Sequence, residues 1–87
     1  MQAPVILPDV RLEAGSEMSV SCWFVEEGDE VLEGDRIVEI LAGSATFDVP
    51  APATGRLIEI RAAEEDPVLP GAVLAVVEGD GIENPEI

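Results

Sequence analysis

The chain repeats itself, and that repeat constrains its fold more than any other feature. Laying "WFVEEGDEVLEGDRIVEI", from Trp23, over "IRAAEEDPVLPGAVLAVV", from Ile60, brings Asp29 onto Asp66, Val31 onto Val68, Gly34 onto Gly71, Ile37 onto Leu74 and Ile40 onto Val77. Every pair is separated by the same 37 positions, with no gap. Matches of Val or Ile alone would prove little in an apolar chain. The glycine and aspartate pairs carry the weight, because these residues answer to backbone geometry rather than to burial. The reading is a pseudo-twofold domain of two similar units. The segment 41–46 joins the first unit to the crossing into the second, and the equivalent point in the second unit is the C-terminal stretch from Glu78. The turn within 41–46 and the chain ends are therefore expected at opposite poles.

Both units read as β-structure. Short runs rich in branched residues, "PVIL", "SVSCWFV", "RIVEIL", "TFDV", "RLIEI" and "AVLAVV", are separated by Gly, Pro and acidic turn signals. No apolar repeat at helical spacing is sustained over three turns. With 87 residues there is room for one small core, and 47% hydrophobic residues suffice to fill it despite a net charge of −15. Aromatics are limited to Trp23, Phe24 and Phe47, so the core must come from Val, Ile, Leu and Ala. Trp23 is expected to pack in it, with its indole N–H finding an acceptor at the rim.

Charge removes whole classes of partner. The only basic side chains are Arg11, Arg36, Arg56 and Arg61, set against 19 carboxylates. Nucleic-acid binding neutralises phosphates with cations that this chain lacks, and anionic membranes are disfavoured for the same reason. A basic protein surface is the complementary partner, although high acidity also serves solubility. The single cysteine, Cys22, permits no internal disulfide and is expected to act as a small buried hydrophobe. With no secretory leader pattern and no long apolar run, a cytoplasmic location is expected.

The motifs then converge on one resemblance. "SCWFVEEGDEVLEGDRIVEI" is similar to the Trp-x-Val-x-x-Gly-Asp-x-Val-x-x-Gly-Asp segment of lipoyl domains, matching at Trp23, Val25, Gly28, Asp29, Val31, Gly34 and Asp35. "DVPAPATGRLIEI" resembles their Glu-Val-Pro-Ala-Pro-x-x-Gly corner at Val49, Pro50, Ala51, Pro52 and Gly55, while "VILPDV" and "VLPGAVLAVV" resemble their opening and closing strands. The resemblance to the lipoyl and biotinyl carrier domains, with the lipoyl domains of 2-oxo acid dehydrogenase acyltransferases the better fit, covers residues 4–78. It implies an all-β barrel-sandwich hybrid, a flattened barrel of two antiparallel sheets. Residues 1–78 are read as the domain and 79–87 as a polar tail with linker character.

In that family a lysine in an Asp-Lys-Ala turn carries the cofactor. Counting back from Pro50, the equivalent tip here is Ala42-Gly43-Ser44-Ala45, with Ser44 at the lysine position, and no lysine occurs anywhere in the chain. Lipoate and biotin are attached as amides. A serine would have to form an ester, and without a neighbouring base it is a poor nucleophile on a stem of one methylene. No cofactor is therefore expected. The sole amine, the α-amino group of Met1, belongs away from this turn.

Other chemistry is not signalled. The chain has no histidine, so Ser-His-Asp catalysis is excluded, and "AGSATF" is not a Gly-x-Ser-x-Gly elbow. A phosphopantetheine-bearing serine, which in carrier proteins lies in Asp-Ser-Leu at a helix start, is not matched either. "EEGDEVLEGD" invites a calcium reading through Glu26, Glu27, Asp29, Glu30, Glu33 and Asp35, but it lacks the EF-hand arrangement, and the Gly-Asp pairs read as turns. No catalytic, cofactor-binding or metal residues are assigned. The expected function is a non-enzymatic lipoyl-domain-like module, a protein-interaction or structural domain associated with a 2-oxo acid dehydrogenase-type complex. The alternative is an inactive N-terminal lipoyl-like domain of a larger dihydrolipoamide acyltransferase. The fold also occurs without lysine in efflux adaptors, but there a long helical hairpin splits the halves, whereas here only a tight turn does.

Overall fold

The computed structural model describes residues 1–9 and 17–79. They form eight strands: β1 (Gln2–Ile6), β2 (Met18–Trp23), β3 (Glu30–Val31), β4 (Arg36–Ala42), β5 (Ala45–Pro50), β6 (Gly55–Ile60), β7 (Pro67–Val68) and β8 (Val73–Gly79). All pairings are antiparallel, in two four-stranded sheets ordered β1-β8-β6-β3 and β5-β4-β2-β7. The all-β expectation holds, and no helix among the described residues is long and apolar enough to cross a membrane.

The repeat is written into the backbone. Adding 37 to the bounds of β2, β3 and β4 gives the bounds of β6, β7 and β8. In the sheets, β1 takes the place of β5, so each sheet is the twofold image of the other. Even the irregularities correspond. An extra residue, Ser21, is bulged between Val20 and Cys22 where β2 meets β4, and Ile58 is bulged at the equivalent place where β6 meets β8. Ile37 is bulged against β5, and its mate Leu74 is bulged against β1. Bulges raise local twist, so both sheets bend at matching points.

The turns explain why glycine and aspartate carried the signal. The Asp29 carboxylate accepts the N–H of Glu26 at 2.8 Å, and Asp66 accepts that of Ala63 at 2.9 Å. Gly34 and Gly71 both adopt left-handed backbone, with φ of 95° and 88°. Each donates its N–H across the domain, to Ala51 at 3.0 Å and to Leu7 at 2.8 Å. The symmetry breaks at one turn. Asp35 accepts the N–H of Leu32 at 3.0 Å, but its mate is Ala72, which has no carboxylate to offer.

The core is filled by twofold pairs: Val20 with Leu57, Val31 with Val68, Ile37 with Leu74, and Ile40 with Val77, all buried. Each such side chain contributes roughly 1.5–3 kcal/mol on burial. No polar or charged residue is buried among those described. Trp23 packs against this core and donates its indole N–H to the Ala62 carbonyl at 2.8 Å, as its amphipathic ring requires. Cys22 departs from expectation. It is half-buried rather than buried, because the Ser21 bulge interrupts the alternation that would have turned it inward.

Strand β8 runs to Gly79, one residue beyond the expected boundary at 78, and residues 80–87 lie outside those described. Gly79 donates its N–H to the Met1 carbonyl at 2.6 Å, so the two ends of the described chain meet in one sheet. The β4–β5 turn is their twofold counterpart in the other sheet.

Candidate functional site

The turn between β4 and β5 is two residues long, Gly43-Ser44. The expected four-residue tip is thus narrower. Ala42 and Ala45 already belong to the strands and face each other as a pair, with Ala42 buried and Ala45 exposed. Gly43 has φ +63°, the only positive value in this turn. That geometry is a type II′ turn, which takes glycine first and matches the twist of the strands it joins. Gly43 also donates its N–H to the Glu17 carbonyl at 3.2 Å, tying the tip to the segment just before β2. Ser44 is exposed. With no histidine in the chain there is no imidazole to act as its base.

Because the turn fixes register, the outer face behind the tip follows from it. Leu41 lies between Thr46 and Ser19, and Glu39 lies between Asp48 and Cys22. Two carboxylates placed directly opposite repel, and Arg36 relieves this by reaching Asp48 at 3.3 Å while lying over the Phe24 ring at 5.5 Å. Partial burial pushes the Cys22 thiol up, and the nearby Glu39, Glu64 and Asp48 carboxylates push it further. Cys22 is therefore a protonated, poorly nucleophilic thiol at neutral pH. Sequence reading missed this acidic row. Its members, on β4, on β5 and in the turn before β7, are far apart in sequence and become neighbours only once the pairing register is known.

Three of the six carboxylates of "EEGDEVLEGD" accept backbone N–H groups. Asp29 and Asp35 cap backbone N–H groups, and Glu27 accepts the N–H of Ile60 at 2.8 Å. Among the described residues no three His, Cys, Asp or Glu side chains converge as metal ligands. A hollow beside β3 and β6 is open and lined by Val31, Leu32 and Ile58. Its charged groups are Asp35, which caps the Leu32 N–H, and pairs at the rim: Glu30 with Arg56 at 3.8 Å and Glu78 with the Met1 amine at 3.2 Å. No acid–base pair is set apart from solvent there.

Comparison with known proteins agrees with this geometry. The biotin/lipoyl family model, described as "Biotin-requiring enzyme", matches residues 7–77. The chain belongs to this family. It is 32% identical over 85 residues to the dihydrolipoyllysine-residue acetyltransferase component of the pyruvate dehydrogenase complex of Corynebacterium glutamicum, covering 98% of this chain and 12% of that protein. It is 38% identical over 66 residues to the succinyltransferase component of the 2-oxoglutarate dehydrogenase complex of Bartonella vinsonii, covering 76% of this chain and 16% of that one. Among solved structures, the lipoyl domain of the 2-oxoglutarate dehydrogenase complex of Azotobacter vinelandii superposes with a TM-score of 0.70 at 31% identity, over 88% of this chain and 99% of that domain. The chain thus spans less than a fifth of these two acyltransferase components and nearly all of an isolated lipoyl domain.

Proposed function

We propose that this is a lipoyl-domain-like module without a cofactor, acting as a protein-interaction or structural domain beside a 2-oxo acid dehydrogenase-type complex. The observation that carries the reading is the tip: a glycine–serine turn in a chain with no lysine. Ser44 stands where the family's attachment lysine would stand. The chain holds no histidine to activate the Ser44 hydroxyl, which would give a hydrolysable ester in place of an amide and hold an arm three methylenes closer to the protein. The Met1 amine is held in the other sheet, beside Glu78. What remains is a folded acidic surface whose complement is a basic surface on a component of such a complex. Residues 1–79 would be the working unit, with 80–87 leading into a linker and the protein residing in the cytoplasm.

The native mass tests this. Chain purified from the cells that make it should show the mass of its polypeptide alone, and a lipoyl- or biotinyl-sized increment would overturn the proposal.

A second reading places the chain as an inactive lobe of a longer dihydrolipoamide acyltransferase, favoured by the small share of those proteins that it spans. The coding sequence beyond residue 87 decides it. An acyltransferase domain in frame supports this reading, and its absence removes it.

A further inference from the structure

We infer that the free side of β5 receives an extended basic segment of a partner protein as a fifth strand of its sheet. The inference rests on reading the domain as an interaction module, and it names the surface and the chemistry of the partner.

The sheets have four edges, and three are closed to strand addition. β3 and β7 are two residues long, and β7 opens with Pro67. On β1, the bond from Gly79 to Met1 fixes which residues face β8: the ladder uses Met1, Ala3 and Val5, leaving Gln2 and Pro4 to point their backbone outward. Pro4 has no N–H to give, the usual device for blunting an edge.

β5 is the twofold mate of β1, and it differs in where its proline falls. A two-residue turn makes Ala42 and Ala45 a hydrogen-bonded pair, and alternation then makes Ile40 and Phe47 the next. Thr46 and Asp48 direct their N–H and C=O groups away from β4. Thr46 occupies the position equivalent to Gln2, and Asp48 the position equivalent to Pro4. The proline that interrupts the middle of the β1 edge has no counterpart at Asp48; on β5 the proline stands only at the end, at Pro50. Among the described residues no strand pairs with this side of β5.

Charge selects the occupant. The outer face along this edge carries Asp48 and Glu39 side by side, with one exposed arginine, Arg36, against them. A second copy would bring the same carboxylates and another net charge of −15. An extended segment with Lys or Arg at alternate positions would instead set a cation beside Asp48 while its backbone bonds to Thr46 and Asp48. Pro50 offers no third N–H, so the added ladder is short and its affinity leans on charge.

The test uses the full chain with 15N label and two capped decapeptides, one alternating Lys with Val and the other Glu with Val. At low salt the Lys–Val peptide should slow amide exchange at Thr46 and Asp48 by about tenfold or more, leave Gln2 unchanged, and be matched by no effect of Glu–Val. Thr46→Pro should weaken binding about tenfold, Gln2→Pro should leave it intact, and Asp48→Asn should weaken it severalfold. Four outcomes would overturn the inference: shifts scattered over the acidic turns without amide protection, equal binding by Thr46→Pro, binding of both peptides alike, or Thr46 and Asp48 amides already protected in the free chain. If Thr46→Pro does not fold, amide protection in the wild type decides the matter. A cofactor-sized native mass would remove the underlying module reading yet leave this protection measurable. Failed protection on an unmodified chain removes strand addition alone.

Discussion

Gly28 and Glu65 occupy equivalent points of the two halves, and both hold left-handed backbone, with φ of 97° and 75°. Each donates its N–H across the domain, Gly28 to Leu57 at 2.6 Å and Glu65 to Val20 at 2.7 Å. The geometry is therefore imposed on Glu65 by its turn, at a cost of about 1–2 kcal/mol for a residue with a Cβ. Glu65→Gly should stabilise the domain by about 0.5–1 kcal/mol net of the added chain entropy, raising Tm by roughly 3–6 °C in a scanning calorimeter. A lower Tm would show that Glu65 contributes something the turn geometry does not reveal. Gly55 answers to a different constraint. A Cβ there would fall on the Glu78 carbonyl oxygen of the neighbouring strand, with only Glu78 and Gly79 backbone as its nearest neighbours. Gly55→Ala should cost about 3 kcal/mol by denaturant unfolding, because neither strand can yield without breaking its ladder. At Cys22 the native state holds its proton more tightly than the unfolded chain does. Above the ordinary thiol range the unfolded chain releases that proton first, so stability falls as pH rises through the elevated native value. Cys22→Ser should flatten this alkaline decline in unfolding curves measured across that range.

At the scale of the element, the β4–β5 hairpin is the decisive piece. Its glycine-first turn suits closure of the sheet, and Ser44 follows as an exposed side chain with no packing role. Ser44→Lys should leave unfolding within about 0.5 kcal/mol of the wild type. It should accept lipoate weakly or not at all from a lipoyl ligase, since on the proposed alignment Gly43 stands where the family turn carries Asp. Efficient modification in an intact-mass assay would show that amine placement alone is enough. This element also shows what a sequence can and cannot disclose. The runs "RIVEIL" and "TFDV" mark β4 and β5 because branched residues alternate there, and the 37-residue repeat is legible because Gly34, Gly71, Asp29 and Asp66 each meet a backbone demand. β3 and β7 were not legible as strands, being too short to show a period. "PVIL" places β1 two residues late at its start, since Gln2 and Ala3 carry no strand signal and are held by pairing with β8. The bulges at Ser21 and Ile37, and the acidic row they help align, depend on register, which no local pattern encodes.

For the molecule as a whole, charge and symmetry pull in different directions. The described cations Arg36, Arg56 and Arg61 and the Met1 amine each sit by a carboxylate, at 3.3, 3.8, 3.2 and 3.2 Å, but on exposed side chains where solvent and salt screen the pairing. They leave most of the negative charge unopposed. Self-repulsion should therefore dominate, and Tm should climb by several degrees between about 10 and 300 mM NaCl as the Debye length shrinks. A fall in Tm over that range would mean that the few ion pairs outweigh the excess. What the two sheets share is a paired core and matching bulges; what sets them apart is that one ends in a closed hairpin and the other in the ends of the described chain. In a carrier that hairpin would present an amine. The most direct measurement sets the wild type beside a chain carrying Gly43→Asp and Ser44→Lys, each incubated with lipoyl ligase, ATP and lipoate and then weighed intact. The wild-type mass should stay unchanged and the grafted chain should gain a lipoyl increment; a lipoyl increment on the wild type would show that the domain is a carrier after all.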